Sequence, residues 1–231
     1  MNTTAETSLS LGQAGLIAGM GLLVMTVTAP YAEFYVFPQL LVPGDVDRSM
    51  LNLMHQRGLF VSGIAAFFLN YVADILVAWA LYIFLAPVHR QLAWLAALFR
   101  LLYTALGISA LMNLFTVVRI LDTPQYAAQV ASGELNIQIQ LLLDAYQFEW
   151  GVALMLFGVH LILLGYLAAR SGYVPQLLGY LLVIAGSGYL IYMVGLYALP
   201  TVSLSLLVLT FLFEPLFMIW LLWKGRQLGR A

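Results

Sequence analysis

The chain contains no cysteine. Disulfides, thiolate nucleophiles and cysteine-held metals are therefore excluded. Charge is almost as scarce. Only 8% of residues are Asp, Glu, Lys or Arg, where about a quarter is ordinary for a soluble domain. The net charge is −1 and no basic run occurs, so there is no electrostatic footprint for nucleic acid. No P-loop or dinucleotide fingerprint is present, and no cofactor is implied. Histidine is limited to three residues, of which only His160 lies deep in an apolar run. A catalytic zinc wants three protein ligands, commonly with more than one histidine, so no metal site is read. Ser187 lacks the strand–turn–helix setting of a hydrolase nucleophile.

What is abundant is apolar surface, with 63% of residues hydrophobic. A soluble core of this length cannot hide so much, because many residues of a folded domain must face water. Lipid is the solvent that fits. A membrane-crossing helix needs about 20 apolar residues, and about six stretches qualify: 11–29, 59–86, 92–118, 145–169, 174–199 and 202–223. The connections are too short for a soluble domain. The sequence therefore predicts an all-α, polytopic membrane helical bundle with six transmembrane helices, one membrane domain over 1–231. The N-terminal MNTTAETSLS has no positive n-region, so the first apolar segment is expected to stay as a span. With six spans, one side holds Arg90, Arg170, Lys224, Arg226 and Arg230. The other holds Arg48, Arg57 and Arg119, diluted by Glu33, Asp45, Asp47, Asp122 and Glu134. That bias puts both termini in the cytoplasm and the protein in the cytoplasmic (inner) membrane.

Local signals punctuate the spans. Pro30 and Pro38 are expected to interrupt the chain after the first helix, leaving 31–45 as an outer loop at the membrane interface. The second and third helices form a hairpin turning at Pro87–Val88–His89. After Asp122 or Thr123 as cap, Pro124 opens a short surface helix that Gly133 ends. The fourth helix turns at Gly172 into the fifth. Gly158 and Gly186 are equally far from that turn, as are Gly165 and Gly179, so their backbones should meet at matched depths. His160, about 200° around the helix from Gly158, must point elsewhere. Pro215 predicts a kink near Thr210–Pro215.

Depth counting assembles the ionisable residues. Asp74 lies about 13 residues before the first hairpin turn and Arg100 about 13 after it, each roughly 20 Å into the hydrocarbon. An antiparallel hairpin puts them side by side as an ion pair. Glu214 and His160 fall at similar depth. Asn70 and Thr104 sit one turn from Asp74 and Arg100 on the same faces, Ser187 and Thr210 lie nearby, and Glu149 shares the His160 face about three turns further out. Asp74, Arg100, His160, Glu214, Asn70, Thr104 and Glu149 are thus the candidate binding residues.

The second half, FGVHLILLGYLAARSGYVPQLLGYLLVIAGSGYLI (157–191) followed by EPLFMIWLLWKG (214–225), resembles a bacterial family of integral membrane proteins, domain of unknown function 4386. DILVAWALYIFLAPVHR (74–90) and ALFRLLYTAL around Arg100 extend the resemblance over nearly the whole chain. Phe157, Gly158, His160, Gly165, Arg170, Ser171, Pro175, Gly179, Gly186, Glu214, Trp220, Lys224 and Gly225 match its pattern. The resemblance implies a six-helix membrane domain and brings no catalytic role for any residue.

Three readings follow from the polar layer. The first is binding or translocation of a small or lipidic molecule at mid-depth, with proton coupling as one form of it and membrane lipids as surroundings. The second is a membrane-embedded enzyme on a lipid or isoprenoid-like substrate, with His160 as acid–base group. The third is a structural or regulatory subunit, with Arg100 neutralised by Asp74 and Glu214 and His160 donating to a carbonyl. The oligomeric state is left open.

Overall fold

The computed structural model describes residues 9–131, 135–198 and 212–228. Among these the fold is entirely helical: α1 (Leu11–Pro30), a π-helical segment (Tyr31–Val36), α2 (Phe37–Leu40), α3 (Val46–His55), α4 (Arg57–Asp122), α5 (Pro124–Ala131), α6 (Asn136–Arg170), α7 (Gln176–Ala198), α8 (Phe213–Trp223) and a 3₁₀ turn (Gly225–Gln227). Four helical stretches are long and apolar enough to cross a membrane: Leu11–Leu40, Arg57–Asp122, Asn136–Arg170 and Gln176–Gly195. Residues 202–211 of the sixth apolar stretch, including Thr210, lie outside the described residues, as does Gly133.

α4 is two arms. His89 has φ −162° and ψ 98°, an extended conformation that breaks the helix where the PVH turn was expected. The arms run back along each other. Tyr82 meets Trp94, Tyr71 meets Tyr103, and Arg57 bonds Asp122 at the open end. The second hairpin, α6–α7, turns at Gly172, whose φ of +74° is left-handed and suits glycine. Ser171 secures the turn by accepting from the Val174 N–H at 2.9 Å. The matched glycines do meet. A Cβ on Gly165 would lie 2.5 Å from the Gly179 carbonyl, and one on Gly158 would lie 2.8 Å from that of Gly186.

The first helix departs from expectation. It does not stop at Pro30. The chain stays helical to Leu40 through the π-helical Tyr31–Val36, and the Tyr31 N–H is shared between the Val27 and Thr28 carbonyls. Proline removes one donor and crowds the preceding turn, and the wider π turn absorbs both. The segment holding Glu33 is thus a helical continuation of α1 rather than a loop. A separate piece, α3, follows, and Asp45 caps it by accepting from the Arg48 N–H at 2.9 Å.

Packing places α6 between α4 and α7, while α1 lies on α4 and α8. Glycines on α1 permit that last contact. A Cβ on Gly12 would be 2.6 Å from the Arg226 and Leu228 carbonyls, and one on Gly19 would be 2.8 Å from Leu222. Large apolar side chains such as Val27, Leu76 and Ile191 face outward. In water that surface would be an aggregation hazard, and in lipid it is the expected exterior.

Candidate functional site

The two arms of α4, with α6 and α8, deliver four polar groups to one point. Arg100 is completely buried, as is Asp74. The Arg100 Nε donates to Asp74 Oδ1 at 2.7 Å, and Nη2 lies 2.6 Å from the same oxygen. Thr104 donates to the other Asp74 oxygen. The Arg100 Nη1 reaches Glu214 Oε1 at 3.2 Å and His160 Nε2 at 3.0 Å. Nη2 also points at the Met25 sulfur, 3.5 Å away, and the guanidinium sits 5.3 Å from the centre of the Phe157 ring. Each bond to a charged partner is stronger than a neutral one, and in this dry setting the set is mutually dependent.

The partners of His160 fix its chemistry. Its Nδ1 lies 2.8 Å from the Ala96 carbonyl, which can only accept. Nδ1 therefore carries the hydrogen. Its Nε2 faces a guanidinium, which can only donate, so Nε2 offers its lone pair. His160 is a neutral imidazole with both nitrogens engaged. It has no lone pair left for a metal and no free site for a substrate proton.

Glu214 is the open member of the cluster. Its side chain is 22% exposed, and it lines a partly open cavity of about 170 Å³. One face of α1 and of the π-helical segment that continues it forms a long wall: Leu22, Met25, Thr26, Ala29, Pro30 and Glu33. That spacing is a single helical stripe, roughly 16 Å long at 1.5 Å per residue. Opposite are aromatic side chains, including Phe67, Tyr103, Trp150, Phe157 and Tyr189. Glu33 and Trp150 also border a second cavity of about 260 Å³ with Tyr146 and Gln147.

Of the residues singled out from sequence, Asp74, Arg100, Thr104, His160 and Glu214 come together. Asn70 does not touch the ion pair. It lines the cavity, with its Oδ1 3.5 Å from the Thr28 hydroxyl. Glu149 does not join the cluster either, and its buried Oε2 has no hydrogen-bond partner among the described residues. Eleven residues keep it on the His160 side but about 16 Å away along the axis. Ser187 bonds back to the Val183 carbonyl of its own helix at 2.9 Å. Sequence reasoning missed Glu33, because Pro30 was read as ending the helix. The stripe 22, 25, 26, 29, 30, 33 was the available signal.

Comparison with known proteins places the chain in a family. The family described as "Domain of unknown function (DUF4386)" matches residues 17–225. A relative from Archaeoglobus fulgidus, described as "Uncharacterized protein", is 32% identical over 171 residues, covering 74% of this chain and 88% of that one. No solved structure matches. The match takes in both α4 arms, α6, α7 and α8, and so every residue of the charge cluster: the chain belongs to the DUF4386 family.

Proposed function

We propose that this protein is a six-span protein of the cytoplasmic membrane, both termini inside, that binds or translocates a small or lipidic molecule at a mid-depth polar site. The observation carrying the reading is Glu214, shared between the Arg100 cluster and a partly open, aromatic-walled cavity. Concave, mostly apolar sites with a few polar groups are how small molecules are held. A charge at membrane depth that only fixed packing would have no need of an opening. Two spans come from the arms of α4, and the sixth is the stretch ending in α8. The Lys and Arg bias sets the orientation.

Within the cluster the roles divide. Asp74, Arg100, Thr104 and His160 form a dry, mutually satisfied frame. Glu214, Asn70 and Glu33 present polar atoms to the cavity. The enzyme reading loses support, because the ring it relied on is fully engaged.

The test uses the full chain in lipid nanodiscs, titrated by calorimetry with three n-octyl probes: the alcohol, the carboxylate and the trimethylammonium. Saturable binding of at least one, abolished by the cavity-filling Ala29→Phe, is the expected result. Equal, non-saturating partition of all three into wild type and Ala29→Phe would overturn the reading.

A further inference from the structure

The charges around the cavity do not balance. One guanidinium, Arg100, serves two carboxylates, Asp74 and Glu214. His160 adds no positive charge, because its hydrogen bonds require the neutral ring. With both acids ionised the cluster is therefore one negative charge in excess, and the excess sits at Glu214, the member facing the cavity. Glu33, at the far end of the same wall, forms no ion pair among the described residues. Among the described residues, no Lys, Arg or His borders the cavity.

The remaining wall suits the same conclusion. Phe34, Phe67, Tyr103, Trp150, Phe157 and Tyr189 line it, and the face of an aromatic ring attracts a cation. Phe157 already does so for Arg100. The π-helical stretch that follows Pro30 holds Glu33, and π turns recur where helices are adapted for function. An anionic ligand would meet two carboxylates and no cation.

Building on the cavity reading above, we propose that the ligand is an amphiphilic organic cation, an amine or quaternary ammonium carried on a short apolar body. Its charged end sits at Glu33, its body lies along the stripe from Glu33 toward Leu22, and the excess charge at Glu214 adds to the negative field of the cavity.

The same nanodisc titrations decide it. Octyltrimethylammonium should bind at least tenfold tighter than octanol, and octanoate should show no saturable binding. Glu33→Gln should weaken the cation about tenfold while leaving octanol unchanged. Glu33 has no ion pair to lose among the described residues, so this variant should fold normally, and an unaltered melting temperature verifies that. Glu214→Gln should act in the same direction. If octanol or octanoate binds as tightly as the cation, or Glu33→Gln leaves cation affinity unchanged, the cation inference fails while the cavity reading stands. If no probe saturates, both fail.

Discussion

Arg100 hands a hydrogen to the Nε2 of His160 across 3.0 Å, and that one contact decides what the histidine can do. It anchors a guanidinium and cannot at the same time accept a proton from elsewhere. Nitrogen-15 spectra of labelled protein should show a neutral, Nδ1-protonated ring. An Nε2-protonated or doubly protonated ring would contradict the assignment. His160→Ala should cost about 1–3 kcal/mol of stability, since it leaves the buried Ala96 carbonyl and one guanidinium hydrogen bond unmade. Thermal unfolding in detergent checks this.

The cluster ranks its own substitutions. Arg100→Leu should be the most damaging, because it leaves two carboxylates without their cation. Breaking a buried pair by removing one partner costs about 3–5 kcal/mol. Asp74→Asn should cost less, since Glu214 still faces Arg100, and Glu214→Gln least, being part exposed. The double variant Asp74→Leu/Arg100→Leu should recover part of the loss of Arg100→Leu. If the double is worse than the sum of the singles, the pair is not acting as a neutral unit.

Glycine substitutions should split by surroundings. Gly165→Ala places a methyl 2.5 Å from the Gly179 carbonyl, a backbone atom that cannot move aside alone. It should force α6 and α7 apart and lower the melting temperature by several degrees. Gly58→Ala lies in a helix with nothing within 4 Å and should be stabilising by about 0.5–1 kcal/mol. Paired melting curves test the contrast.

The pair at the open end of α4 behaves differently. Arg57 and Asp122 are solvent-exposed, and the hydrogen bond from Arg57 holds the Asp122 carboxyl below its ordinary value of 3.8. A depressed carboxyl stabilises the fold above its unfolded pKa and loses that contribution as pH falls through the folded one. Any effect of Asp122→Asn should therefore disappear on acidification below about pH 4. Near neutrality it should shrink further with added salt. Melting at two salt concentrations measures it.

Much of this site could be read from spacing. Helical rise alone put Asp74, Arg100, His160 and Glu214 at one depth, because a span has a fixed length per residue and an apolar solvent sets the origin. Matched glycines gave the α6–α7 contact for the same reason. What spacing could not give was rotation and partner choice between helices. The Ala96 carbonyl, the Met25 sulfur and the Phe157 face are tertiary partners with no sequence mark. Glu149 shows the limit in the other direction, since sharing a face with His160 says nothing about reaching the same neighbour. Pro30 misled because its local rule, that helices end there, was overridden by a π turn.

The position of Arg100 and Asp74 on opposite arms of one continuous hairpin bears on assembly. Separated, each arm would carry a bare charge at the worst depth, at about 2.5–3.5 kcal/mol on insertion scales. Joined, the two enter as a neutral pair already in register, with His89 as the bend. On the membrane reading proposed above, the unit that partitions into the bilayer is the hairpin rather than the helix, and both arms would settle together.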